Sequence, residues 1–382
     1  MAKGEVVQRG VAVLGATGSI GTTALRVLAR QPSRFRVVAL TAHRNASHLG
    51  EIASAWRVPY VGVVEANGQS IPADWGRGVS CLVDAATRPD ADIVLNAVVG
   101  AAGLDATLAA LNAGKRVALA NKETLVVAGE IVNAVCRKTG GEIVPVDSEH
   151  SAILQCLAGR TARDVRRLVL TASGGPFREW SSERLAAATL ADALKHPTWS
   201  MGRKITVDSA TLANKALEVI EAHFLFGVSY DRIEVVVHPQ SVVHSMVEFV
   251  DGSVVAQMGV PSMELPVLYA LTHPERVEDG GVPPFDPVRC SPLTFEPVRF
   301  TDFPALDLGI AAGRKGGAAP AVFNAANEAA VALFLEGRIG FADIARAIER
   351  ALTKLADRPG STREELLEAD AEARKLVSLT SI

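Results

Sequence analysis

The sequence predicts an α/β protein in three parts: a parallel sheet with helices at the N-terminal end, an α+β middle and a small helical tail. Three observations carry this. Up to about Asp147, continuous apolar runs of strand length alternate with amphipathic stretches, the pattern of βαβ units. Beyond it, Asp251-Gly252 joins two strand-like runs, a signal for antiparallel pairing. From about Asp302 the apolar residues recur at helical spacing. The expected boundaries are 1–147, 148–272, a linker over 273–300, and 301–382.

In chain order, strands are expected at 11–14, 35–40, 93–99, 116–120 and 142–146. A helix follows the first strand to about Arg30, and another covers 104–112. In the middle part, strand 167–171 runs into Ser173-Gly174-Gly175-Pro176. A helix over about 210–226 has Asp208 and Ser209 as cap candidates and Gly227 as its stop. Strands at 233–237, 242–250 and 253–258 follow. The proline-rich stretch 271–300 reads as a surface crossing. Helices are expected at 320–336, 341–356 and 363–377.

A chain of 382 residues exceeds one compact core. Its net charge of -3, from 39 basic and 42 acidic residues, gives no positive field to collect nucleic-acid phosphates. The first residues lack the apolar run of a signal peptide. The apolar stretch 93–111 is interrupted by Asn96 and Asp105, which suits a buried strand and helix rather than a membrane span. Cys81, Cys136, Cys156 and Cys290 form no CxxC pair and read as reduced thiols of a cytoplasmic protein.

Gly15-Ala16-Thr17-Gly18-Ser19-Ile20-Gly21 follows a strand and opens a helix. Glycines there permit a tight turn and close backbone approach, and the free N–H groups of the helix start favour a pyrophosphate. This makes the first part a Rossmann-like dinucleotide domain, with Thr17, Gly18, Ser19 and Ile20 on the cofactor. At the end of the second strand, where NAD-binding folds place an acid, stand His43-Arg44-Asn45. A cation suits the 2′-phosphate of NADPH, so Arg44 is the expected determinant, with His43 and Asn45 beside it. A solvated loop arginine is the other reading of that position.

Asp147 and Glu149 would point to one side of an extended chain, and two such carboxylates suit Mg2+ or Mn2+. Asp-x-Glu alone fits a solvated acidic loop better than a metal site. Asn214, Lys215 and Glu218 share one helical face; spacing alone leaves an intrahelical ion pair open. Ser173-Gly174-Gly175 offers donors for an anion or forms an ordinary turn. Residues 195–203 combine histidine, tryptophan, methionine and glycine without periodicity, which suits a lid over a ligand or a satellite apolar cluster. His238 and His244 are not spaced as a zinc pair and read as structural.

Together these segments closely resemble the 1-deoxy-D-xylulose 5-phosphate reductoisomerases. The matching stretches are 15–21, Ala120-Asn121-Lys122-Glu123, Asp147-Ser148-Glu149-His150, 173–177, 196–204, 207–218, 238–247 and Asn324-Ala325-Ala326-Asn327-Glu328, in the family's order. The resemblance implies that Asp147, Glu149 and Glu218 ligate one Mg2+ or Mn2+ ion. It implies that Ser173, Ser209, Asn214 and Lys215 hold the substrate phosphate, with Lys122, Ser148 and His196 near the carbon skeleton. Lys122, Glu149 and His196 are the expected catalytic groups. Trp199 and Met201 belong to a mobile lid over the substrate, Asn121 joins the cofactor side, and Met263 lines the nicotinamide pocket. It also implies a homodimer. Two places depart from the family: His43-Arg44 stands where a glycine-lysine pair is frequent, and Glu264 follows Met263 where an arginine or lysine is common.

The expected activity is rearrangement of a phosphorylated hydroxyketone followed by reduction with NADPH. Two rivals share the first domain: a simple NADP-dependent dehydrogenase of the semialdehyde or homoserine type, and a non-catalytic nucleotide-binding protein. The former has no need of three carboxylates and a phosphate pocket; the latter predicts decay at Lys122, Asp147, Glu149 or Glu218, all of which are intact.

Overall fold

The computed structural model describes residues 8–199 and 201–379; Ser200, within the predicted lid, lies outside the described residues. The chain runs β1 (Arg9–Leu14), α1 (Ser19–Arg30), β2 (Phe35–Ala42), α2 (Ala46–Trp56), β3 (Tyr60–Val63), β4 (Gly76–Arg77), α3 (Ser80–Thr87), β5 (Ile93–Asn96), α4 (Gly103–Asn112), β6 (Arg116–Leu119), α5 (Lys122–Thr139), β7 (Glu142–Pro145) and α6 (Ser148–Leu157). It continues with β8 (Val165–Ala172), α7 (Ser182–Ala186), α8 (Leu190–Ala193), α9 (Arg203–Thr211), α10 (Ala213–Phe226), β9 (Ile233–Val237), β10 (Val243–Phe249), β11 (Val254–Met258) and α11 (Glu264–Thr272). The tail holds α12 (Pro304–Lys315), α13 (Ala319–Leu335), α14 (Phe341–Leu355) and α15 (Arg363–Leu379).

Two compact units divide these elements. The first comprises residues 8–124, Val132–Ser151 and Ser262–Pro283. Its sheet has the order β4-β3-β2-β1-β5-β6-β7 with every pairing parallel. The central strands are apolar throughout because helices cover both faces: Val11, Ala12, Val13, Leu14, Val94 and Leu95 are fully buried. The order reverses at β1, whose neighbours are β2 and β5, so the crevice at the carboxyl ends of β1 and β5 is the place for a ligand.

The stretch from α11 to Pro283 belongs to this first unit, whereas the sequence places 148–272 in the middle part and 273–300 in a linker. Its anchors are polar. Arg9 donates to the carbonyl of Leu271 at 3.0 Å, Arg116 to that of His273 at 2.6 Å, and Arg30 to Asp279 at 2.6 Å. None of these pairings leaves a periodic trace in sequence.

The second unit comprises Leu125–Ile131, Ala152–Pro261 and residues 284–379. Its sheet has the order β11-β10-β8-β9, with β10 antiparallel to both neighbours and β8 parallel to β9. The helical tail packs within this unit rather than standing as a compact unit of its own. Gly309 on α12 explains the close fit, since a side chain there would meet Ala216 of α10 and the ring of Phe323. Helix α13 is buried nearly all round, flanked by α12, α14 and α15.

Two local expectations need correction. The helix expected over 210–226 is two helices: Leu212 takes φ +59, a left-handed conformation that ends α9 and starts α10. Asp208 and Ser209 therefore lie inside α9 and cap nothing, whereas Gly227, at φ +65, does end α10. Asp147-Ser148-Glu149 is not extended, because α6 begins at Ser148, so the side-chain alternation assumed for the two carboxylates does not apply.

Candidate active site

The glycine loop is built by close approach. Gly15 has φ +82, and a side chain there would stand 2.6 Å from the Ala97 carbonyl after β5. Gly21 faces the Gly15 carbonyl and the Ala16 backbone so closely that no Cβ fits. Helix α1 starts after Gly18 with no side-chain cap and no acid in its first turn. Its first N–H groups thus have no intrahelical partner and no acid in their own turn. Thr17, Gly18, Ser19 and Ile20 line this helix start, which fits a pyrophosphate.

After β2, Arg44 Nε lies 2.8 Å from Glu65 and His43 Nε2 lies 3.3 Å from the same carboxylate. The two bases hold the Glu65 carboxyl below its usual range. Asn45 is the N-cap of α2, accepting from the His48 N–H at 3.2 Å. The acid that sequence reading missed is thus Glu65, two residues past β3; nothing in linear spacing ties it to Arg44.

Asn121 is almost fully buried, and its amide is engaged by backbone groups and by the side chains of Glu123, at 2.9 Å, and Thr124. It caps α5 by accepting from Thr124, and it donates to the carbonyls of Val98 at 2.8 Å and Gly100 at 2.9 Å. It therefore acts on the loop after β5, the same loop that abuts Gly15. Met263 is the residue immediately before α11. The departure at Glu264 is compensated locally, because Glu264 is ion-paired with Arg26, at 3.1 Å, and with Arg30, both on α1.

Lys122 opens α5, and its ammonium is bonded to Asp147 at the end of β7. His150 Nδ1, fully buried on the first turn of α6, lies 3.2 Å from the same carboxylate. Burial alone would raise the Asp147 carboxyl, but the Lys122 and His150 charges outweigh it and hold the group well below the ordinary carboxylate range. Ser148 donates to Glu149 one residue on. His150 closes the Asp147-Ser148-Glu149-His150 motif, but nothing in linear spacing pairs it with Asp147.

In the second unit, Ser173 and His196 meet at 3.0 Å, and the same His196 Nε2 lies 3.2 Å from the hydroxyl of Ser209 on α9. The other ring nitrogen, Nδ1, accepts from the backbone N–H groups of Thr198 at 3.1 Å and Trp199 at 2.9 Å. Two donors facing Nδ1 require that it carry no proton, so the neutral ring has its hydrogen on Nε2. Burial lowers the His196 pKa, which favours that neutral form. Both serine oxygens then accept from His196 and have their own O–H hydrogens to give to an anion. Trp199 and Met201 are half-buried and lie outside regular elements, between α8 and α9 in the chain.

On α10, Asn214 and Lys215 both donate to Glu218, four and three residues on. Lys215 and Glu218 are 4% and 1% exposed, so this is a desolvated pair rather than a solvated surface one. His238 is buried, with Nδ1 2.8 Å from the Thr294 carbonyl and its ring stacked on Phe295, the structural place expected for it.

Comparison with known proteins completes this picture. Residues 11–129 match the model of 1-deoxy-D-xylulose 5-phosphate reductoisomerase, 143–226 that of its C-terminal domain, and 258–376 a further DXP reductoisomerase C-terminal domain. A 1-deoxy-D-xylulose 5-phosphate reductoisomerase of Synechococcus sp. (strain JA-2-3B'a(2-13)) is 49% identical over 377 residues, covering 96% of this chain and 95% of that one. The Geobacter metallireducens enzyme of the same name is 50% identical over 371 residues, 95% and 96% of the two chains. Among solved structures, the Zymomonas mobilis reductoisomerase in complex with NADPH is 42% identical, covers 97% of this chain and 98% of its own, and has a TM-score of 0.89. A DOX-P reductoisomerase in complex with NADPH, fosmidomycin and magnesium is 38% identical over 97% of each chain, with a TM-score of 0.91. By sequence over its whole length and by fold, this chain belongs to the 1-deoxy-D-xylulose 5-phosphate reductoisomerase family.

Proposed function

We propose that the chain converts 1-deoxy-D-xylulose 5-phosphate to 2-C-methyl-D-erythritol 4-phosphate in isoprenoid precursor biosynthesis (the methylerythritol phosphate pathway), using NADPH and a divalent metal. The observation that carries this is the Ser173–His196–Ser209 cluster: two hydroxyls oriented by a neutral histidine suit a phosphate monoester, and a simple dehydrogenase has no use for them. No second reading is favoured by a specific observation.

NADPH fits the uncapped start of α1 and the side-chain-free surface of Gly15 and Gly21. Arg44, with His43, is the 2′-phosphate contact, while Asn45 and Asn121 shape the flanking backbone and Met263 faces the nicotinamide. The metal ligands are Asp147, Glu149 and Glu218, all hard oxygen donors suited to Mg2+ or Mn2+. When bound, the ion supplies Lewis-acid stabilisation of the oxygens that become negative as the carbon skeleton rearranges.

The protein's own groups do the rest. Ser173, Ser209, Asn214 and Lys215 anchor the phosphate, and the binding energy gained there orients the reacting carbons. Lys122 holds Asp147 in its ionised form and presents N–H donors to the substrate, beside Ser148 and Glu149. Neutral His196 donates through Nε2. Trp199 and Met201 exclude water during hydride transfer. Overall the substrate gains one hydride, from NADPH, and one proton.

The protein is read as cytoplasmic, which agrees with four cysteines that form no disulfide, and as a homodimer. Edge strand β11 and its hairpin support the latter, since Val250, Val254 and Val255 are exposed there. The deciding assay is NADPH oxidation followed at fixed 1-deoxy-D-xylulose 5-phosphate with Mg2+ or Mn2+. Turnover that stops with excess chelator and returns with metal is expected; turnover indifferent to chelator overturns the reading.

A further inference from the structure

Asp208 has no part in the site described so far, yet it is a carboxylate only 1% exposed in the middle of α9. A buried carboxylate is costly unless paired, so its partners matter. Its Oδ1 accepts from Asn327 Nδ2, on α13, at 2.9 Å. Lys204, one turn earlier on α9, brings its ammonium to 2.9 Å from Oδ2, a charge contact rather than an aligned hydrogen bond. The same ammonium lies 3.8 Å from Glu328 on α13. Glu328 accepts from Arg374, on α15, at 2.6 Å, and Arg374 grips Asp370 with two bonds at 2.6 and 2.9 Å. Charges of alternating sign thus run from α9 to the last helix of the tail, all within the second unit.

Such a chain is a poor stability device, because apolar residues of similar volume usually stabilise as well or better. What it does well is fix one rotation of a helix. Consecutive helical residues leave the axis about 100° apart, so turning α9 by a single residue breaks the Asn327 bond to Asp208 and carries Lys204 away from Glu328. The next residue is Ser209, whose hydroxyl depends on that rotation to meet His196 at 3.2 Å. Three residues beyond Ser209, the left-handed Leu212 redirects the chain into α10, so the start of α10 inherits any error in α9.

We propose that Asp208 is a positioning residue for the phosphate end of the substrate site. Held by Asn327 on α13, with Lys204 of the same helix tied through Glu328 to Arg374 and Asp370, it sets the rotation of α9 that presents Ser209. The tail helices α13 and α15 are therefore part of the substrate apparatus. The inference rests on the reading of Ser209 as a phosphate contact.

The test compares Asp208→Asn, Asn327→Asp, the double exchange and Ser209→Ala in the full-length protein. Two Michaelis constants, for 1-deoxy-D-xylulose 5-phosphate and for NADPH, are measured beside the thermal midpoint. Asp208→Asn should raise the sugar-phosphate KM about tenfold and leave the NADPH KM within about twofold. Asn327→Asp sets two carboxylates face to face and should do worse. The double exchange rebuilds an amide–carboxylate pair and should return the sugar-phosphate KM to within about threefold of the parent value. Equal rises in both constants, or an unchanged sugar-phosphate KM in Asp208→Asn, overturn the proposal. Ser209→Ala separates the two readings. If it leaves that KM unchanged, the phosphate reading fails and takes this one with it; if it raises the KM while Asp208→Asn does not, only the network fails. Should the Asp208 variants not fold, Arg374→Met at the half-exposed far end carries the test. A rise of about two- to fivefold in the same KM is expected there, and none refutes the network.

Discussion

The glycine loop of the first unit and the α9–α10 region of the second, proposed above as cofactor and phosphate contacts, are built on different physics. Around Gly15 to Gly21 the site is made of backbone. Glycines are required because a Cβ would strike a neighbouring carbonyl, and the charge on offer is that of helix N–H groups with no side-chain cap. Around α9 and α10 the site is made of side chains, held by a neutral histidine, a desolvated Lys215–Glu218 pair and a helix break at a leucine. A backbone site is tolerant of which residues surround it but intolerant of added atoms. A side-chain site is the reverse: it tolerates small changes of shape but not a change of hydrogen-bonding partner.

Five substitutions can break or sharpen that contrast. The largest effect is expected at the side-chain end. Glu218→Gln should lower kcat by roughly 10²–10³-fold while NADPH binding, read by fluorescence titration, stays unchanged, because the proposed metal ion loses a charged ligand. At the backbone end, Gly21→Ala adds one methyl where none fits. A loss of about 1–3 kcal/mol in NADPH binding is expected, with the sugar-phosphate KM unaffected. An alanine there with parental affinity would show that the cradle yields, and the contrast would fail.

Arg44→Glu puts two acids where Glu65 now holds two bases. The NADPH KM should rise by about tenfold or more and the NADH KM far less; an unchanged cofactor preference would remove Arg44 from the 2′-phosphate contact. Leu212→Gly sets two effects against each other. Relief of the left-handed conformation is worth about 1–2 kcal/mol, whereas deleting a leucine 3% exposed costs about 2–5 kcal/mol. Burial should win, with net destabilisation of about 1–3 kcal/mol in chemical denaturation.

The smallest effect concerns pH. The folded protein holds His196 below its ordinary pKa, so the unfolded chain takes up a proton first as pH falls. Stability should therefore be full above about pH 6.5 and decline below it. His196→Gln should make that acid-side decline shallower in thermal melts taken from pH 7.5 to 5.5. A slope identical to the parent's would show that His196 is not held neutral.

How much of this was legible in the linear chain follows the same division. The parallel strands, the glycine loop and Gly227 as the stop of α10 leave local traces, because apolar runs and glycines are required wherever strands are doubly covered or φ is positive. Helix α5 left none: Leu125, Val126 and Val127 resemble a strand, and Ala128 breaks the helical dihedrals at φ -136. Gly129 inside it is explained only by the ring of Phe224 that lies against it. The split at Leu212 is equally silent, since nothing in a leucine announces a left-handed conformation.

By itself, then, the sequence determined the layered α/β plan of the first unit, the dinucleotide cradle and the residue types of the substrate site, each of which depends on neighbours a few positions away. Tertiary structure alone decided which long-range polar partners those residues have: Glu65 on Arg44, His150 on Asp147, Glu264 on Arg26 and Arg30, Asn327 on Asp208. The reason is physical. A backbone conformation is chosen by local sterics and so is recorded locally, whereas a buried charge can be satisfied by any partner that folding brings within about 3 Å, however far away it lies along the chain.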